Sequence, residues 1–172
     1  MKSMFALTAA VAALAMAAPV SAQAPNDAQI AHIAYTAGSI DVEAGRQALQ
    51  ISHNAAVRAF AETMVRDHDA VNQQALALVQ RLNVKPEANP TSTALADQAA
   101  ATSGRLAKLT GAAFDRAYVE NEIAFHRTVN TALHDTLIPG AHNADLKSLL
   151  ESGLALFTEH QTHAENLARN IK

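Results

Sequence analysis

Apolar positions recur along this chain at intervals of three and four, the spacing that lays one face of an α-helix against a core. Between Asn54 and Val84 the series is Val57, Ala61, Met64, His68, Val71, Ala75, Leu78 and Leu82, a heptad seam whose fourth member is an imidazole. The segment before it, Asp27 to Ile51, carries Ile30, Ile33, Ala37, Ile40, Ala44, Ala48 and Ile51 in the same rhythm, with Asp27 placed to cap it. A third, Ala112 to Leu137, runs through Val119, Glu122, His126, Val129 and Leu133, with Phe114, Tyr118 and Phe125 on its flank. The last, Ala144 to Ile171 behind a capping Asn143, passes Leu146, Leu149, Gly153, Leu156, His160, Ala164, Leu167 and Ile171. Four long helices are expected, and three of them carry a histidine on the buried stripe.

The breaks between these segments set the topology. Ser52-His53-Asn54 is so short that the first two helices must be antiparallel neighbours. Lys85-Pro86-Glu87-Ala88-Asn89-Pro90 cannot continue a helix, whereas Thr91 to Thr93 offer caps for a short alanine-rich helix to about Leu109. Ile138-Pro139-Gly140 is expected to end the third long helix. Gly38 and Gly45, each costing about 1 kcal/mol relative to alanine inside a helix, mark close packing of the first. No stretch alternates with period two. The expected fold is all-α, a ferritin-like up-down four-helix bundle with a long crossover, Lys85 to Thr110, carrying the short extra helix.

Composition narrows the setting. Lys2, the apolar run from Phe5 to Ala18 and Val20-Ser21-Ala22 have the form of a secretory signal peptide, residues 1–22, leaving Gln23 to Lys172 as one exported domain, expected in the periplasm. No later apolar run reaches the length of a membrane span. The net charge of −3, without a basic stripe, argues against a nucleic-acid partner. The absence of cysteine removes disulfides, thiolate metal sites and iron–sulfur clusters, so stability must come from apolar packing.

Candidate chemistry therefore rests on the interior histidines. His68, His126 and His160, with Glu43 or Glu122 as carboxylate, are a donor set that suits one transition-metal ion. Glu43 flanks the stripe of the first helix, while Glu122 and His126 lie one turn apart on the same side. The competing structural reading has these histidines satisfied by carboxylates or hydroxyls, fixing helix register without an ion. His163 sits one turn past His160, Asp67 pairs with Arg66 or a neighbouring helix, and His32, His53, His134 and His142 fall at surface or turn positions. Glu122 and His126 lack the second histidine of a metalloprotease helix, and no nucleophile elbow, phosphate loop or dinucleotide fingerprint is present.

The run F-A-E-T-M-V-R-D-H-D-A-V-N-Q-Q-A-L from Phe60, the run G-A-A-F-D-R-A-Y from Gly111 and the closing H-Q-T-H-A-E-N-L resemble the bacterial family called domain of unknown function 4142. The resemblance implies an exported ferritin-like bundle, and its pattern points to Glu43, His68, His126 and His160. Ferritin-like di-iron proteins differ where it matters, because their Glu-x-x-His pairs are replaced here by Val65 before His68 and Phe157 before His160. The favoured function is a non-catalytic envelope protein binding a transition metal through interior histidines, in metal handling or stress tolerance. A metal-free structural or interaction module, whose outer faces meet another envelope protein, is the second reading. A metal-dependent oxidoreductase is the third.

Overall fold

Four of the five substantial helices begin where an asparagine offers a side-chain acceptor to the free amides of the first turn, and the helix that begins at Gly111 has no side-chain cap. The computed structural model describes residues 24–171, and the expected leader, residues 1–22, lies outside them. Helix α1 (Asp27–Ile51) is capped by Asn26 in a capping box with Gln29. The cap therefore falls one residue before the expected Asp27, whose carboxylate instead accepts from the amides of His142 and Asn143 at 2.8 and 2.9 Å. Helix α2 (Ala55–Arg81) is capped by Asn54. Asn89, not the threonines after it, caps α3 (Pro90–Leu106), and Pro90 occupies the first turn where its missing amide costs nothing.

Helix α4 (Gly111–Ala132) does not stop at Ile138-Pro139-Gly140 as expected. It widens into a π-helical turn, Leu133–Leu137, and runs on through a last turn, α5 (Ile138–Gly140). Proline lacks an amide and crowds the carbonyl four residues back, and the wider turn relieves both conflicts. Helix α6 (Ala144–Asn170), capped by Asn143, closes the chain.

The capping and side-chain contacts fix the direction of every helix. Asn89 Nδ2 donates to the carbonyl of Gln29 at the start of α1, and Gln47 Nε2 near its end donates to Ser103 O near the end of α3. Helix α3 thus runs parallel to α1 along its outer side and carries the chain back from one end of the bundle to the other. Ser52, in the α1–α2 turn, then donates to Asp115 in the first turns of α4 at 2.5 Å, and Asp27 holds the loop that follows α5. Taking α1 as up, α2 and α4 run down and α6 runs up. The main packing partners are α1 with α2 and α4 with α6, with α2 also against α6. The result is an all-α bundle of five substantial helices with no strand among the described residues.

Two apolar clusters occupy the ends of the bundle. One contains Phe60, Met64, Phe114, Tyr118 and Leu167 at the end where α4 begins, with Phe114 and Tyr118 stacked at 6.0 Å. The other contains Ile30, Ile33, Leu78, Leu133, Leu146 and Leu150 at the end where α6 begins. Between them lies a layer of polar side chains contributed by all four inner helices. No helix among the described residues is long and apolar enough to cross a membrane.

Candidate metal centre

The polar layer is built from His68 on α2, His126 on α4 and His160 on α6, facing Asp41 on α1 and Glu122 on α4. Their relative exposures are 1%, 1%, 3%, 3% and 0%, so bulk water does not satisfy them. Ring centroids of the histidines lie 5.5 Å (68–126), 5.2 Å (68–160) and 5.6 Å (126–160) apart. One nitrogen from each lies within 4.8 Å of one from each of the others, and Asp41, Glu122 and His126 form a second group on the same criterion. An ion held at about 2.1 Å needs nitrogens roughly 3.4 Å apart in a tetrahedral set, a closure of less than about 1 Å per ring. The residues present fit a metal ion.

The remote nitrogen of each ring faces an oxygen, which decides what remains for an ion. Nδ1 of His126 lies 3.0 Å from the carbonyl of Glu122, an acceptor only, so Nδ1 carries the proton and Nε2 keeps its lone pair. His160 Nε2 lies 3.1 Å from Asp67 Oδ2, which leaves Nδ1 as the free acceptor. His68 Nε2 approaches Asp41 Oδ2 at 3.5 Å. Among the described residues, His126 Nε2, His160 Nδ1, both nitrogens of His68 and both oxygens of Glu122 have no hydrogen-bond partner. For His126 and His160 a hydrogen-bonded oxygen behind the ring and a lone pair on the other nitrogen is the arrangement that orients histidines toward metals, and Asp41 stands behind His68 at the longer 3.5 Å.

Electrostatics agree with that picture. Burial, reinforced by the neighbouring rings, lowers His68 to about 2, and burial lowers His126 to about 4, so both are neutral at ordinary pH. Burial lowers His160 as well, against the opposing pull of Asp67. Burial raises Asp41 strongly, with Glu122 adding repulsion, and burial raises Glu122 to about 8. Two carboxyl groups side by side in a dry interior stay together by keeping a proton between them. Asp67, held by Arg66 at 2.7 Å and by His160, is lowered and remains an anion.

The structure brings four of the sequence-derived candidates together: His68, Glu122, His126 and His160. It does not bring Glu43, which is exposed and lines the groove between α1 and α3. Asp41, two residues earlier, faces inward in its place. The inner face of α1 runs Ile30, Ile33, Ala37, Asp41, Gly45, Ala48, whereas Ile40 turns toward α3. The missed signal was the four-residue spacing Ala37–Asp41–Gly45, hidden because α3 gives α1 a second apolar face. Phe157 also exceeds its expected role, since its ring stacks on His68 at 4.5 Å and 13° in the place of the absent carboxylate. His163 is exposed and packs edge-on against Phe60, away from the histidine cluster. Asp67 bonds both Arg66 and the neighbouring helix.

The sequence profile called Domain of unknown function (DUF4142) matches residues 11–167. No curated protein and no solved structure matches the chain.

Proposed function

The chain belongs to the DUF4142 family, and on that premise we propose that it is an exported bundle that binds one divalent transition-metal ion among His68, His126 and His160. The observation that carries this reading is three buried imidazoles, each offering a nitrogen within 4.8 Å of the others, with the remote nitrogens of His126 and His160 already hydrogen-bonded. Without an ion, each buried polar atom left unpaired costs about 1–3 kcal/mol. A metal-free module has to offer several atoms of one layer another partner, such as a buried water, or absorb that cost.

Charge selects the ion. Asp41 and Glu122, once deprotonated, balance a 2+ charge inside the bundle, and Asp67 is already balanced by Arg66. A divalent ion is thus taken up with release of the protons the two carboxyls keep. Imidazole and carboxylate without thiolate suit iron, manganese, zinc, copper or nickel in this state. We read the order up, down, down, up with a long crossover as ferritin-like, and bundles of that kind build ligand centres in their cores, which supports the proposal. A site with exposures of 3% or less favours holding an ion over turning over a substrate, so metal handling or stress tolerance in the cell envelope is the role proposed.

Elemental analysis of protein purified without an affinity tag tests it. Native protein is expected to hold, or to take up after chelator treatment, one ion per chain, and His126→Gln and His68→Ala are expected to hold less than a tenth of that with helical content unchanged. A native protein that takes up no stoichiometric divalent ion from this series overturns the reading.

A further inference from the structure

Beside the histidine layer, on the side where α6 begins, the bundle contains a cavity of about 350 Å³. Ile33, Leu78, Leu133, Leu150 and Phe157 form much of its wall, and among the described residues no charged side chain lines it. Its size follows from the sequence. Each inner helix turns a small residue toward it: Ala37 from α1, Ala75 from α2, Ala132 from α4 and Gly153 from α6. The described aromatic residues with no exposure, Phe60, Phe114 and Tyr118, are all in the opposite half.

Protein interiors are close-packed, and the cost of an unfilled apolar void grows with its volume. An apolar pocket of this size is stabilised by an occupant that covers its hydrocarbon wall in place of water. Water is a poor filler, because it needs two to four polar partners and this wall offers few. The polar groups on the lining, Tyr35, Asn72, Thr91, Thr128 and Thr136, are uncharged, and Thr91, Thr128 and Thr136 reach the surface. A molecule entering past them meets hydroxyl groups first and hydrocarbon after.

We propose that this cavity is a binding site for a neutral, hydrocarbon-like molecule, an alkyl or prenyl chain ending in an uncharged group such as a hydroxyl. Scaling from an apolar cavity of about 150 Å³ that accepts the six carbons of benzene, this volume accommodates about 14 carbons. Among the described residues no lysine or arginine lines the cavity, which disfavours a carboxylate or phosphate head, because it would arrive unpaired. Phe157 closes the inner end and stacks on His68, so the occupant lies against the wall of the polar layer without joining it. The proposal does not depend on a metal.

Titration of the full chain, stripped of metal with chelator, with the neutral fluorophore N-phenyl-1-naphthylamine tests it. Saturable binding at one probe per chain is expected, displaced by 1-tetradecanol at concentrations at least tenfold below those needed with tetradecanoate. Ala37→Phe and Ala75→Phe, which fill the cavity from two different helices, should each weaken the probe at least tenfold. Leu76→Ala, which removes an exposed apolar side chain on the outer surface, should leave binding unchanged. Absence of saturable binding overturns the proposal, as does binding that survives both filling variants or is lost with Leu76. Equal displacement by the carboxylate overturns the choice of a neutral ligand. The wild-type titration and competition decide the matter even where a filling variant fails to fold. Closure of the cavity by a second copy of the chain would appear as a concentration-dependent dimer without probe binding, and would likewise overturn it.

Discussion

Asp67 holds Nε2 of His160 from a partly exposed position, and that contact fixes which ring nitrogen is left for an ion. Removing such an oxygen behind a ligating histidine loosens ring orientation and typically costs 10–100-fold in metal affinity. Asp67→Ala is expected to weaken the metal by a factor of that order in chelator competition while helical content stays unchanged. Titration gives a second test at the same scale. His68 and His126 are lowered on folding, so below pH 6.5 the unfolded chain binds protons that the native chain refuses, and stability falls as pH falls toward 4. Asp41 and Glu122 are raised, so their contribution is full below the ordinary carboxyl range and is lost as pH rises toward about 8. Below pH 6.5 the imidazoles, with His160 among them, outnumber the carboxyls; above it only the carboxyls still titrate differently in the two states. Metal-free protein should therefore be most stable near pH 6.5. Its stability should decline toward pH 8 by about 1.4 kcal/mol per pH unit for each retained proton. Urea midpoints across this range measure it, and Glu122→Gln should flatten the alkaline limb. A midpoint that climbs steadily from pH 6.5 to 8 would contradict the shared proton.

At the scale of elements, the pairing of α1 with α2 depends on how closely their backbones approach. A Cβ on Gly45 would stand 2.8 Å from Val65 Cγ2 and 3.0 Å from the carbonyl of Ala61, and the second of these is backbone that cannot turn aside. Gly45→Ala should destabilise the bundle by about 1–3 kcal/mol despite alanine's better helix propensity. Gly104 on α3 has nothing within 4 Å, and there Gly104→Ala should gain up to about 1 kcal/mol. Denaturant unfolding of the two variants gives opposite signs if the glycine in α1 serves helix approach. That role was legible in the sequence, as were the helices, the short α1–α2 turn and the caps at Asn54 and Asn143. Three features were not. Asp41 was hidden because Ile40 also completes an apolar stripe, and only the position of α3 decides which of two adjacent residues faces the core. The run through Pro139 depends on a π turn, which intrinsic propensity does not signal. Phe157 looked like a missing carboxylate because its stacking partner, His68, lies on another helix, 89 positions away in the numbering.

At the scale of the whole molecule, the polar layer couples the two helical hairpins. Asp41 and His68 come from α1 and α2, and Glu122, His126 and His160 come from α4 and α6, so an ion at the centre ties each hairpin to the other. An unfolded chain brings these groups together only by chance, and binding free energy therefore adds to folding stability. With free ion at a thousand times its dissociation constant, the gain is about 4 kcal/mol. For a domain of this length each 1 kcal/mol moves the thermal midpoint by about 2–4 °C, so saturation should raise Tm by roughly 8–16 °C. Amides of α2 and α6 near His68 and His160 should gain hydrogen-exchange protection along with it, because opening either hairpin then means losing the ion. A scaffold whose histidines merely set register would show neither effect, since its layer is the same with and without added metal. A divalent ion that leaves Tm within 1 °C while binding stoichiometrically would place the bound ion on the surface and leave the two hairpins held by packing alone.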